Sequence, residues 1–298
     1  MKKTQVLVIL ACIFSVLFSC KDDKEEEAAP EAVDHSGNLN VSILLDLSDR
    51  ISPEKYPNPA MEYYLRDVGY INSISEAFTD HLTTKKVRQV KDKIQLFFDP
   101  APKNPDINAL SEKMKIAVDR NSVSKQTIAD IRATYASEPQ KIYDLAINDK
   151  NYIGSDTWKF FKNKADDYCI EPKHRNILIV LTDGYIFYKD SKMQEGNKTT
   201  WLTPETIRTN KLNTSSWKET FDKGGFGFIP ANKDLSNLEI LVLGINPDTK
   251  NQYEEEVIKA YWSNWLEAMK VKRFEIHNAE LPADMDKIIK DFIAQQQY

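Results

Sequence analysis

Cysteine is scarce in these 298 residues: three occur, at positions 12, 20 and 169. Two of them lie in or at the end of the first apolar run. Cys169 therefore stands alone in the body, which leaves no internal disulfide and no cysteine metal cluster. Histidine is nearly as rare, with four (His35, His81, His174 and His277), none in a recognisable catalytic or metal motif. No Gly-x-Ser-x-Gly is present, so serine-hydrolase chemistry lacks support. Gly224-Gly225-Phe226-Gly227 is no phosphate loop, because the following Lys-Ser/Thr and a preceding strand are missing. Cations are not in excess: 40 Lys and Arg face 45 Asp and Glu, for a formal net charge of −5. Binding a phosphate backbone needs clustered cations, so nucleic acid is not expected as a partner.

What is present begins with Met1-Lys2-Lys3 and an apolar run from Val6 to Phe18. Two lysines before a short hydrophobic segment form the n- and h-regions of an export signal, and the run falls short of the roughly 20 residues of a membrane span. The run ends in Leu17-Phe18-Ser19-Cys20, which resembles the bacterial lipobox, although Phe18 is bulkier than is usual there. The resemblance implies a signal peptide over 1–19 and a lipidated Cys20 as the new N-terminus, hence a lipoprotein anchored in the outer membrane. Removing 1–19, whose only charges are Lys2 and Lys3, takes the net charge from −5 to −7. Residues 20–38 then read as an acidic, Pro-containing tether that cannot bury enough apolar surface to fold. Its Cys20-Lys21-Asp22-Asp23 start also resembles the surface-export signal of Bacteroidetes lipoproteins. Cell surface and periplasmic face both stay open.

The composition, 41% hydrophobic and 10% aromatic, supplies a full core for a single domain over 39–298. Short apolar runs at Asn40–Leu45, Lys93–Phe98, Asn176–Leu181 and Leu238–Leu243 read as buried strands, with an edge-like strand at Lys272–Ile276. Helical spacing covers Pro59 to about Thr83, Ile107–Val118, Lys125–Ala133, Gln140–Ile147, Thr157–Ala165, Gln252–Met269 and Ala283–Gln295. Strands alternating with helices predict a doubly wound, mostly parallel α/β sheet flanked by helices. Ligands of such sheets bind beyond the carboxyl ends of the strands, where this chain has Asp46, Asp99, Asp183 and Asn246.

Two strand ends carry the chemistry: Asp46-Leu47-Ser48-Asp49-Arg50 and Thr182-Asp183-Gly184. Carboxylate with hydroxyl oxygen is hard-cation chemistry, suited to magnesium or calcium rather than zinc. Asp also favours turns and helix caps, so either residue alone has a purely structural reading. Together they resemble the von Willebrand factor A domain with its metal-ion-dependent adhesion site, whose signature is Asp-x-Ser-x-Ser, a loop Thr and a later Asp-Gly. The resemblance implies Asp46, Ser48 and Asp183 as ligands of Mg2+ (or Mn2+ or Ca2+), an ion whose open position is completed by an acidic residue of a protein partner. Ser155, Asp156 and Thr157 are the candidates for the loop ligand. The chain departs from the pattern at its second serine, which is Arg50. A guanidinium repels a nearby divalent ion. Arg50 therefore either points away, or pairs with Asp46 or Asp183 and takes the ion's place, leaving the site metal-free, unless a third carboxylate at Asp156 offsets it.

The connection over 185–237 is far longer than the usual handful of residues and leaves from the crevice end. Its aromatics, Trp201, Trp217 and Phe226 among them, suit either a partner surface or a satellite core; Pro204–Thr209 and Trp217–Phe221 read as helix. Three functions follow. The first is a non-enzymatic lipoprotein that binds a protein partner or mediates adhesion. The second is a metal-dependent hydrolase, although Ser48 stands where a haloacid dehalogenase-like phosphatase needs its second acid. The third is a structural subunit of an envelope assembly.

Overall fold

A computed structural model of the chain describes residues 37–152 and 154–295. The leader, Cys20 and the tether up to residue 36 lie outside the described residues. No helix among the described residues is long and apolar enough to cross a membrane.

The chain runs β1 (Leu39–Leu45), α1 (Tyr63–Thr84), β2 (Lys91–Phe97), α2 (Pro105–Lys113), β3 (Ile116–Asp119), α3 (Lys125–Asp149), α4 (Thr157–Asn163), α5 (Ala165–Cys169) and β4 (Arg175–Leu181). The long connection follows, with two-residue strands β5 (Gln194–Glu195), β6 (Lys198–Thr199) and β7 (Gly227–Phe228) and helices α6 (Pro204–Thr209) and α7 (Trp217–Gly224). Then come β8 (Leu238–Ile245), α8 (Glu254–Ala268), β9 (Arg273–Asn278) and α9 (Pro282–Ala294). The central sheet has the order β3-β2-β1-β4-β8-β9 and is parallel except for β3. This is the doubly wound α/β architecture that the alternation of strands and helices predicts.

Residue period two sorts each central strand between two cores. Val41, Ile43, Leu45, Ile177, Ile179 and Leu181 face a core shared with α1, α2, α3 and α9. Leu44, Leu178, Val180, Ile240 and Val242 face the other, shared with α4, α5, α8 and the long connection. Both faces are therefore covered, which is why the strands read as unbroken apolar runs.

Three expectations change. The helix expected over Ile107–Val118 stops at Lys113, and Ile116–Asp119 pairs antiparallel with β2, its Ile116 and Val118 alternating as an edge strand requires. The segments Lys125–Ala133 and Gln140–Ile147 are one helix running through Pro139. A proline inside a helix costs about 3 kcal/mol. Burial of Ile131, Tyr135, Ile142 and Tyr143 on one helix face offsets that. The helix expected over Thr157–Ala165 breaks at Lys164 into α4 and α5.

Candidate functional site

β1 and β4 pair in parallel register, Leu45 opposite Leu181, so Asp46 and Asp183 leave neighbouring central strands at the same end. Both turns are tightly defined. The Asp46 amide donates to the Leu181 carbonyl at 3.1 Å, and the Asn246 amide to the Asp183 carbonyl at 3.0 Å. Gly184 sits at φ +95°, and a Cβ there would fall 2.5 Å from Ile258 Cγ2 and 2.8 Å from Ile245 Cδ1. Only glycine lets the chain turn this close to α8. The Trp262 indole donates to the Gly184 carbonyl at 2.9 Å, and the Tyr185 hydroxyl to Glu254 Oε1 at 2.6 Å, which fixes the loop from behind.

Asp46, Ser48 and Asp183 line one open cleft of roughly 1450 Å3, together with Ser155 and Asn246. Asp46 is buried, its Oδ1 accepting from the Ser48 amide at 2.8 Å and its Oδ2 from the Thr182 hydroxyl at 3.1 Å. Asp183 is half-buried, and its Oδ1 accepts from the Tyr185 amide at 3.0 Å. Burial and the neighbouring Asp46 carboxylate push the Asp183 pKa up to about 7, against the opposing pull of Arg50.

Arg50 does not point away. It is 5% exposed and turns inward from a short 3-10 turn, Asp49–Ile51. Its Nε donates to the Asp46 carbonyl at 3.2 Å and lies 3.7 Å from Asp46 Oδ2. Its Nη2 donates to the Leu181 carbonyl at 3.0 Å and to Asp67 Oδ2 at 2.6 Å. The Tyr143 hydroxyl donates to that same Asp67 oxygen at 2.7 Å. Burial alone would disfavour the guanidinium charge, but Asp67 and then Asp46 outweigh it and hold Arg50 firmly charged.

The other expected ligands divide. Ser155 reaches the cleft, and its hydroxyl is 3.0 Å from that of buried Thr157. Asp156 is taken up structurally: it caps α4 through the Lys159 amide at 3.1 Å, and its Oδ2 accepts from the Ser191 hydroxyl. Asp99 lines a separate small pocket instead of the cleft. Among the described residues no group of three or more Asp, Glu, His or Cys side chains is placed to hold a metal ion, so a site here would lean on hydroxyls. As they stand, the residues do not fit a divalent ion. Both Asp46 oxygens are engaged, and the buried guanidinium beside them would oppose it. Two like unit charges 4 Å apart cost about 4 kcal/mol at an effective dielectric of 20, and a divalent ion doubles that.

The aromatics also redistribute. Trp217, which suited either a partner surface or a satellite core, is core: it is 8% exposed, packs edge-on to Phe221, and its indole donates to Glu256 at 3.0 Å. Phe226 is half-buried against the same core. Trp201, also half-buried, carries Lys192 over its ring at 4.5 Å and shares with Phe226 a groove of roughly 370 Å3. Tyr56, Tyr63, Tyr152, Tyr185, Phe187 and Tyr188 line the cleft; Tyr185, Phe187 and Tyr188 belong to the long connection, and Tyr56, Tyr63, Tyr152 and Phe187 were not foreseen as binding residues. Asp67 was equally unforeseen. Its signal was a charge set within the apolar stripe of α1, three residues after Tyr64 and four before Ile71.

No family model matches the chain, and no curated protein is similar to it in sequence. Among solved structures it is similar to the pilus adhesin SpaC of Lactobacillus rhamnosus GG, at 10% identity and TM-score 0.41 over 86% of this chain. The match spans 30% of the adhesin's own length. It is also similar to an aerotolerance-related membrane protein of Bacteroides fragilis NCTC 9343, at 12% identity and TM-score 0.36, covering 86% of this chain and 98% of that one.

Proposed function

We propose that this chain is an exported lipoprotein, anchored through Cys20, whose vWA-like α/β domain captures a protein partner in the cleft at the carboxyl ends of the sheet. One observation carries the reading: Asp46 and Asp183 converge from neighbouring central strands on the floor of an open cleft walled by Tyr56, Tyr152, Phe187 and Tyr188. Aromatic walls above fixed polar groups are the ordinary composition of a protein-recognition site. A hydrolase finds less support. His81 and His277 pair with Asp92 and Glu275, and His174 bonds two backbone carbonyls, so none of the three lines the cleft.

A photo-crosslinker placed at Tyr56, 45% exposed in the cleft, tests the partner claim in intact cells, with one at Val87, 58% exposed near the start of β2, as control. A discrete adduct is expected from position 56 alone. Equal adducts from both positions, or none from 56, would refute the cleft as the binding face. Cys20→Ala should abolish acyl labelling and release the protein from the membrane fraction; unchanged labelling would end the lipoprotein reading. Neutral residues in place of Lys21-Asp22-Asp23 separate the two membrane faces, since loss of surface protease accessibility is expected only if that stretch is an address.

A further inference from the structure

We infer that Arg50, held by Asp67, is a built-in cation that closes a latent divalent-metal site formed by Asp46, Ser48 and Asp183. The inference concerns the same cleft as the reading above, but it does not depend on a partner being found.

Arg50 stands at the fifth position of the strand-end motif, where a neutral oxygen ligand would complete an ion's shell. The side chain neither hangs in solvent nor salt-bridges at random. One guanidinium bonds the backbone carbonyls at the ends of both central strands, Asp46 at 3.2 Å and Leu181 at 3.0 Å. It thereby joins the two loops that a shared ion would otherwise join through their carboxylates. Its countercharge is built as carefully. Asp67 comes from α1, is 1% exposed, and is fixed at the same oxygen by Arg50 and by Tyr143 of α3. A buried carboxylate with a dedicated phenol and a dedicated guanidinium is a network from several elements, which needs every member satisfied to be tolerated.

The distances also show where the guanidinium charge is spent. Asp67 takes the shortest contact at 2.6 Å, while Asp46 Oδ2 is 3.7 Å away. The guanidinium charge is thus committed mainly behind the strands, close enough to exclude a divalent ion from Asp46 but too committed to neutralise Asp183 as well. Removing only Arg50 would leave Asp67 buried and unpaired. Removing both charges would leave Asp46, Ser48 and Asp183 around a neutral space, with Arg50→Ser adding the hydroxyl that the motif lacks.

Mn2+ titration followed by electron paramagnetic resonance, together with melting temperature in millimolar Mn2+ or EDTA, tests this on the mature chain. Wild type should show no saturable binding and the same melting temperature in both solutions. The double variant Arg50→Ser/Asp67→Asn should bind Mn2+ saturably and melt several degrees higher with it, by mass action on the folded state. EDTA should reverse that gain, and adding Asp183→Ala should abolish it. Arg50→Lys, which keeps the positive charge, should remain blind to metal. Mn2+ binding by wild type or by Arg50→Lys that depends on Asp183 would overturn the inference. So would a folded double variant that binds none. Should the double variant fail to fold, the wild-type and Arg50→Lys measurements still decide. Failure of the position-56 crosslink would sink the partner reading while leaving these results untouched.

Discussion

Asp92 and Asp183 sit at opposite ends of the central sheet, and their surroundings treat them in opposite ways. Asp92, near the start of β2, accepts from the Leu39 amide at 2.7 Å, Lys85 at 2.7 Å, the Lys91 amide at 3.1 Å and His81 at 3.1 Å. Burial works against its charge, yet those donors outweigh it and hold the carboxyl below the usual range. Nearby, Arg175 meets Glu239 with two bonds at 2.9 and 2.8 Å, and its remaining donors reach the Phe292 and Ile293 carbonyls. Asp183 receives one amide bond and a like-charged neighbour, and its pKa climbs to about 7. Charge is balanced where the fold needs only stability. At the cleft, Asp183 carries no such set of donors.

The largest effect should come from breaking the balanced end. Glu239→Ala leaves Arg175 buried without its acid, and a loss of about 3–5 kcal/mol is expected in urea unfolding. A loss below 1 kcal/mol, on the order of a surface pair, would erase the contrast. At the other end, Gly184→Ala forces a side chain into Ile258 and Ile245 at positive φ. Strain and overpacking should cost about 2–3 kcal/mol. The accompanying shift of Asp183 should be visible as a changed titration of its carboxyl.

A smaller effect of opposite sign is expected from Asp183→Asn. The folded-state pKa of about 7 lies above the ordinary carboxylate value of 3.8, so the native state binds the proton more tightly than the unfolded one. Stability from this group should therefore fall as pH rises from about 4 to 7, with the full penalty above 7. Asp183→Asn should raise stability at pH 8 by on the order of 1–2 kcal/mol, discounted for partial exposure, and should flatten the profile between those pH values. Asp92 runs the other way: its contribution is present above the unfolded pKa and is lost as pH falls through its lower folded value. Chemical denaturation at several pH values checks both; a profile unchanged by Asp183→Asn would count against the raised Asp183 pKa. Smallest of all, Tyr56→Ala should move stability by about 0.5 kcal/mol or less while weakening partner crosslinking from a neighbouring cleft position.

Much of this contrast was legible in the residues. Unbroken apolar strands ending in Asp46 and Asp183 gave the doubly wound sheet and the end at which the two carboxylates meet. The edge strand Ile116–Asp119 was hidden because four residues support a helical period as well as an alternating one. The continuity of α3 through Pro139 was hidden because tertiary burial, which no local pattern encodes, outweighs the local penalty. At the site, Arg50 stood out as a departure, but its direction did not, since that depends on Asp67 and Tyr143 arriving from two other helices. Trp217 and Trp201 look alike in sequence, and only packing against Phe221 and α8 separates the core ring from the one beside the groove.

The position of β1 has a mechanical consequence. The chain enters the domain at Leu39, at the amino end of a strand paired in parallel on both sides, with β2 and with β4, and the cleft opens at that strand's other end. A pull between an anchor upstream and a captured partner would run along β1. It would shear two ladders of hydrogen bonds at once instead of peeling them apart singly. Resistance to such a pull is governed by the unfolding rate, not by equilibrium stability. If the proposed anchor and partner both hold, the drag between them would fall on a strand supported on both sides.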